Sequence, residues 1–442
     1  FSLSNASAGV AGVSVQLFDT SQSRAGTGAA STAVGVDGGE GDDQIVNEGG
    51  VLVGATSDVN AGGVSVEISG LGQSKSDVTA DSSGVGISGG TGSDTIINEG
   101  LTDVDAISTV TAADVALELV GAAAAAADIK ASAEATGIDA GAGDSDTIDN
   151  SGAIRAVSDA SATSAGVSVN WMGGALASSQ LNALAESTGI VGGDGANQIT
   201  SEDLTAEASA SVTSTSVAVD VSGEIPTINL GVPCANTSAS ANSYATGIDA
   251  GPGTLSITGA TAVSSVSDVD AANISVNVSA IGVGARVGAP IASSASTAKA
   301  TATGALGNGS ITNSGEMSIS SLANLNHADV GVNVQGSTTG IPAGYVFTDA
   351  YSNAKAETTG IVASEEGDTV TNTGSISTDT DAIVNAASVS ISVGGSLVAG
   401  LTAAASLACV TNTADAVSTG IDASGGNDVI ENRGTVGADG DS

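Results

Sequence analysis

Residues 420–436 read GIDASGGNDVIENRGTV, and residues 137–154 read GIDAGAGDSDTIDNSGAI. The shared order is a Gly-Ile step, a loop of Gly and acid, an Ile, an Asn two residues later and a Gly two after that. Along the chain, the Gly-Ile/Val step recurs at Gly35, Gly86, Gly137, Gly189, Gly247, Gly360 and Gly420, with a degenerate copy at Gly304. Successive spacings are 51, 51, 52, 58, 57, 56 and 60 residues. The apolar landmark falls at Ile45, Ile96, Ile148, Ile199, Ile257, Ile311, Val370 and Ile430, and the Asn at Asn47, Asn98, Asn150, Asn313, Asn372 and Asn432. A repeat of this length is the mark of a stacked architecture.

A second landmark is a strand of the form V-S-V, as in Val13-Ser14-Val15, Val64-Ser65-Val66, Val167-Ser168-Val169 and Val389-Ser390-Ile391. Period-two patterning with β-branched residues denotes half-buried strands. The Ala-rich tracts alternate with Ser and Thr and carry Gly, which sets them against helix despite the propensity of Ala. One copy leaves two strand edges open, and neighbouring copies satisfy both about 4.8 Å apart. The expected fold is all-β, a β-helix or β-solenoid of about eight repeats of 51–60 residues, continuous over residues 1–442. Residues 1–34 and 420–442 would be partial coils. Whether a repeat makes one large coil or two smaller ones is open, with one preferred because its halves differ.

Composition agrees. Aromatic residues are 2% of 442 and Gly contributes 62 positions, so the core must be thin and built from small side chains; mean hydropathy is +0.27, too apolar for a disordered polyanion. Eight Lys+Arg face 48 Asp+Glu, a formal net charge of −40. Such a surface repels nucleic acid and anionic membrane, and self-repulsion favours cations. No apolar run reaches membrane-spanning length.

Residues 38–46 (GGEGDDQIV) and 89–97 (GGTGSDTII) match a Gly-rich calcium-binding nonapeptide. Stacking aligns Asp43, Asp94, Asp146, Asn197, Asp368 and Asp428, with Asp42 and Asp144 beside them. Carboxylates one coil apart repel by roughly 1 kcal/mol in water and 3–4 at an effective dielectric of 20. A Ca²⁺ ion taking their oxygens would reverse that cost; equally, Asp and Gly make good solvated turns. Asn47, Asn98 and Asn150, and again Asn313, Asn372 and Asn432, are positioned for side-chain ladders.

The run G-I-D-A-x-x-G-x-D-x-I-x-N-x-G-x-(I/V) resembles repeats of autotransporter passengers and of large, RTX-like bacterial surface adhesins. The likeness covers the loop-and-turn third of each unit, the remainder sharing only composition. It implies a right-handed β-helix, exported by a bacterium to the cell surface, serving adhesion or surface structure.

Enzymatic chemistry is not expected. His327 is the single histidine, placed just before Val330–Val334 and read as a corner residue. Basic residues are scattered and Trp171 is the only Trp. From V-S-V to the next Gly the distance is 22 residues in four copies and 30 or 31 in the last four. The repeats over 217–420 therefore carry inserted segments, which hold Tyr345, Phe347, Cys234 and Cys409, the candidate lateral contact surface for a glycan or protein. The two cysteines lie about three repeats apart, too far for a mutual disulfide, leaving inert thiols or bonding to another chain. The 22 residues after Gly420 and the 35 up to Gly35 together make one repeat length. That predicts head-to-tail joining of copies into a filament, or equally a window cut from a longer chain.

Overall fold

The computed structural model describes the chain except residues 144, 172, 223–228, 283–285, 338–341, 364–366, 397–402, 424 and 426. The described residues contain strands and turns and no helix, and the strands belong to one parallel sheet. The Ala tract 122–127 lies inside the strand Leu101–Asp139.

Each strand pairs with its sequence equivalent one repeat later. Gly50 lies beside Leu101 and Ser88 beside Asp139, an offset of 51 held along the whole strand. Leu176 pairs with Cys234 at 58, and Ala354 with Ala414 at 60. The pairing offset equals the repeat spacing, so a full repeat, not half of one, separates hydrogen-bonded neighbours. The arrangement is a long parallel stack compatible with a β-solenoid.

Within one repeat the chain doubles back on itself. In Gly50–Ser88 the outgoing leg ends at Ser69, and Gly70 turns the chain at φ +149°. The legs then face each other: Ser57 Oγ donates to the Asp81 carbonyl at 2.6 Å. Ser65 Oγ reaches Ser21, the partner of Gly72 one repeat back, at 3.0 Å. The one sheet is thereby folded into two thin facing layers, packed through alternate side chains.

Their interior changes character along the legs. Near the Gly-rich loop it is aliphatic, with Val53, Ile87, Ile96, Val104, Ile138 and Ile148 buried. Toward the turn it is Ser, Gly, Asn and acid, bonded across the gap, as Ser74 and Ser76 hydroxyls bond Asp114 Oδ1. There the legs approach too closely for branched side chains. A Cβ on Gly63 would lie 2.2 Å from Ser74 Oγ.

The V-S-V strands are consequently inverted. Ser65, Ser168 and Ser275 are buried, whereas Leu117, Ile274 and Ile391 are exposed and Val64, Val66 and Val169 half-buried on the outer face. Alternation alone is symmetric between faces; leg separation decides which residue points in.

The recurrent Gly of each repeat has a steric cause. A Cβ on Gly86 would lie 2.4 Å from the Gly137 carbonyl and 2.4 Å from Thr102 Cγ2; Gly137, Gly189, Gly247, Gly304 and Gly360 meet equivalent atoms. The register also revises one landmark. Leu255, not Ile257, stands between Ile199 and Ile311, and Ile257 occupies the Asn position between Ser201 and Asn313.

Candidate functional site

The Gly- and acid-rich loops stack as one column. The Asp43 N–H donates to Asp94 Oδ1 at 2.8 Å, the Asp94 N–H to Asp146 Oδ1 at 2.8 Å, and the Asp146 N–H to Asn197 Oδ1 at 3.0 Å. Gly253 and Gly309 interrupt the acids. The column resumes where the Gly309 N–H donates to Asp368 Oδ1 at 2.7 Å and the Asp368 N–H to Asp428 Oδ1 at 2.9 Å. The recurring acid thus acts locally, closing the loop of the preceding coil.

The second oxygen differs. Oδ2 of Asp43, Asp94, Asp146 and Asp368 is buried without a hydrogen-bond partner among the described residues. In Asp43 and Asp94 it rests against the glycine that opens its own loop; a Cβ on Gly89 would stand 2.7 Å from Asp94 Oδ2. Burial raises the Asp146 carboxyl above the usual range, and the Asp94 charge adds to the rise. Hard oxygen donors suit calcium, which takes 6–8 of them. One free carboxylate oxygen per loop leaves most of such a shell to carbonyls and water, and among the described residues no three acidic, His or Cys side chains cluster as ligands. Asp42 lies on the exposed side, where it accepts the Ser93 N–H at 2.9 Å, and Asp144 lies outside the described residues.

Beside this column runs the Asn one. Asn47 Nδ2 donates to Asn98 Oδ1 at 2.7 Å and Asn98 Nδ2 to Asn150 Oδ1 at 2.7 Å. Asn150 then meets Ser201 Oγ at 3.4 Å. Asn313, Asn372 and Asn432 form a second run at 2.9 and 2.8 Å.

The residue after each V-S-V makes another column, one that sequence reasoning missed. Gln16, Glu67, Glu118, Asn170, Asp220, Asn277 and Asn333 align by register, and all but the first are buried. Its signal was visible, an acid or amide following nearly every V-S-V. Glu118 accepts the N–H groups of Gly70 at 3.0 Å and Gly72 at 3.1 Å, fastening the turn of the coil before it. Burial lifts its carboxyl and these bonds oppose the lift. Asp220 has no partner for either oxygen among the described residues, and burial pushes its carboxyl up to about 7.

His327 is not at a corner. It lies within Glu316–Ser337, faces inward and is 4% exposed. Its Nδ1 is 3.0 Å from Ser352 Oγ and its Nε2 is 3.2 Å from Asp329 Oδ2. This sets Ser, His and Asp in sequence, an arrangement the linear spacing of 25 residues and of two did not reveal. Ser352 is wholly buried, and Asp329 Oδ1 is already held by Asn273 Nδ2 and Ser294 Oγ at 2.9 and 2.5 Å. A nucleophile needs an approach for its substrate; these groups form a satisfied interior network instead.

The inserted segments enter at the turn. The offset is 50 at Val169–Val219 and 58 at Leu176–Cys234, so eight residues are added between Val219 and Cys234. Part of the addition forms Asn229–Gly231, paired with Arg286–Gly288, itself paired with Pro342–Gly344. Cys234, Ile291, Phe347 and Leu407 share one column beyond it, with Tyr345 beside Ala405 and Cys409 beside Asp349. Tyr345 and Phe347 are exposed and both cysteines half-buried and free. Burial raises the Cys234 thiol above its usual range.

No protein-family model, curated protein or solved structure matches this chain.

Proposed function

We propose that the chain is a structural extracellular protein, a right-handed β-solenoid of eight repeats that builds a rod on or around a bacterial cell and joins copies head to tail. One observation carries the reading: sequence-equivalent residues pair in parallel register along the described chain. In such a stack every coil offers the next the edge it received, so the architecture has no internal stop. A heterologous end contact of that kind propagates as a fibre. A wholly buried Ser-His-Asp set and a net charge of −40 favour scaffold over catalyst.

Calcium enters this proposal as a stabiliser of the loop column, through the Oδ2 atoms of Asp43, Asp94, Asp146 and Asp368 with Asp42 and Asp428 contributing charge. With so few protein oxygens per loop, affinity belongs to the weak range of extracellular modules, on the order of 10⁻⁴–10⁻³ M. A second reading, an adhesin that takes a glycan or protein at the inserted segments, is favoured by the exposure of Tyr345 and Phe347.

Electron microscopy and light scattering of the purified chain, with millimolar calcium or with chelator, test both parts. Rods that lengthen with concentration are expected, with melting raised by calcium. Asp94→Asn, which keeps the N–H bond as Asn197 does, should lessen the calcium effect. A monodisperse 41.5 kDa species under every condition would overturn the filament.

A further inference from the structure

The inverted V-S-V strands assemble a surface that the rod reading does not use. Register places the first residues of the V-S-V motifs, from Val13 through Val167 and Ile274 to Val389, in one outward column. Their third residues make a second, from Val15 through Val169 and Val276 to Ile391. A third carries Val221, Val278, Val334 and Val393, and Ile68, Leu119 and Trp171 continue it at the other end beside Val66, Leu117 and Val169. A fourth, of small residues from Ala11 through Ala165 and Ala272 to Ala387, completes the face.

No member of these columns is charged, on a chain that carries 48 acids. Eight coils at about 4.8 Å and four columns about 6.7 Å apart span roughly 34 by 20 Å, or about 700 Å². Contiguous apolar patches of that size mark an interaction site, and a stable interface buries about 800 Å² on each partner. We infer that this face is the contact between two copies of the chain lying side by side. Charged residues are absent from this face, so two copies of a chain carrying 48 acids approach here without opposing carboxylates. Two flat sheets of β-branched side chains pack face to face about 10 Å apart, and a self-complementary face closes at two subunits. End-to-end joining lengthens a rod whereas this contact doubles its width, so the two fail independently.

The test uses the full chain at micromolar concentration, by electron microscopy and sedimentation velocity. Paired rods are expected for the wild type. Val169→Lys with Val276→Lys should give single rods and self-association weaker by on the order of 100-fold, since lysines would be buried against each other; circular dichroism checks that the strands remain. In a Cys234→Ser, Cys409→Ser background, Val219→Cys, in the fifth of the eight coils, should oxidise to a covalent dimer, whereas Thr297→Cys on the return leg should not. Single rods for the wild type, pairing untouched by the lysines, or equal cross-linking at both positions would overturn the proposal. So would single rods that take up an amphipathic peptide along the stripe, which would assign the face to another partner.

Discussion

Asp220 offers the sharpest test of the interior. It stands in register between Asn170 and Asn277, is fully buried, and neither carboxylate oxygen has a partner among the described residues. Burial moves its carboxyl from 3.8 to about 7. A displacement of that size corresponds to roughly 4 kcal/mol. The folded chain holds this proton across a window in which the unfolded chain has released it. The stability that Asp220 leaves intact is therefore undiminished below about pH 4, falls as pH rises to 7, and is flat beyond. Asp220→Asn has the same shape, matches the amides on either side, and does not titrate. Its stability relative to wild type should be near zero at pH 4 and rise by up to about 4 kcal/mol at pH 8. Urea unfolding of both proteins in parallel from pH 4 to 8 measures this, because repulsion among the remaining acids is common to both and cancels in the difference. A difference that does not change with pH, or a variant less stable at pH 8, would refute the claim that Asp220 is buried without a compensating partner.

Other outcomes follow from the same geometry. Gly137→Ala forces a Cβ against Ile154 and the Gly189 carbonyl and should cost about 1–3 kcal/mol, read as a lowered melting temperature. Asn98→Leu strands the Asn47 donor and the Asn150 acceptor; a loss of about 1–3 kcal/mol and faster amide exchange in the adjacent loops are expected. Asp329→Ala leaves His327, Asn273 and Ser294 without their shared acceptor and should cost about 3–5 kcal/mol by thermal melting. Arg155→Ala removes an exposed bridge to Asp103 and Asp105, and its effect should stay below about 1 kcal/mol and vanish at high salt.

Much of the stack was legible because its repeat is spelled out by residues with one steric or hydrogen-bonding solution. Gly137 admits no side chain, Ile148 fills the aliphatic end, and Asn150 accepts from Asn98. The facing of V-S-V was not legible, since Val and Ser alternate identically whichever side is buried. It depends on Gly63 and Ser74 bringing the legs together, a contact across the turn at Gly70 that period-two patterning does not report. Ile257 was misplaced by two positions because spacing alone cannot tell it from Leu255. The acids of the Gly-rich loops were read for charge, while their first oxygen serves a neighbour's backbone, as Asp94 does for Asp43. His327 was set at a corner because its partners Ser352 and Asp329 belong to the folded cross-section.

The Asp and Asn columns of the loops point the same way. Asp43 gives its N–H to Asp94 and Asp94 gives its own to Asp146, as Asn47 gives its amide to Asn98 and Asn98 to Asn150. Any break in the stack therefore produces two unlike faces. The upstream face is left with stranded donors and the downstream face with carboxylate and amide oxygens that water hydrates readily. Coils peel more easily from one side of a break than from the other, which gives the stack a direction of wear.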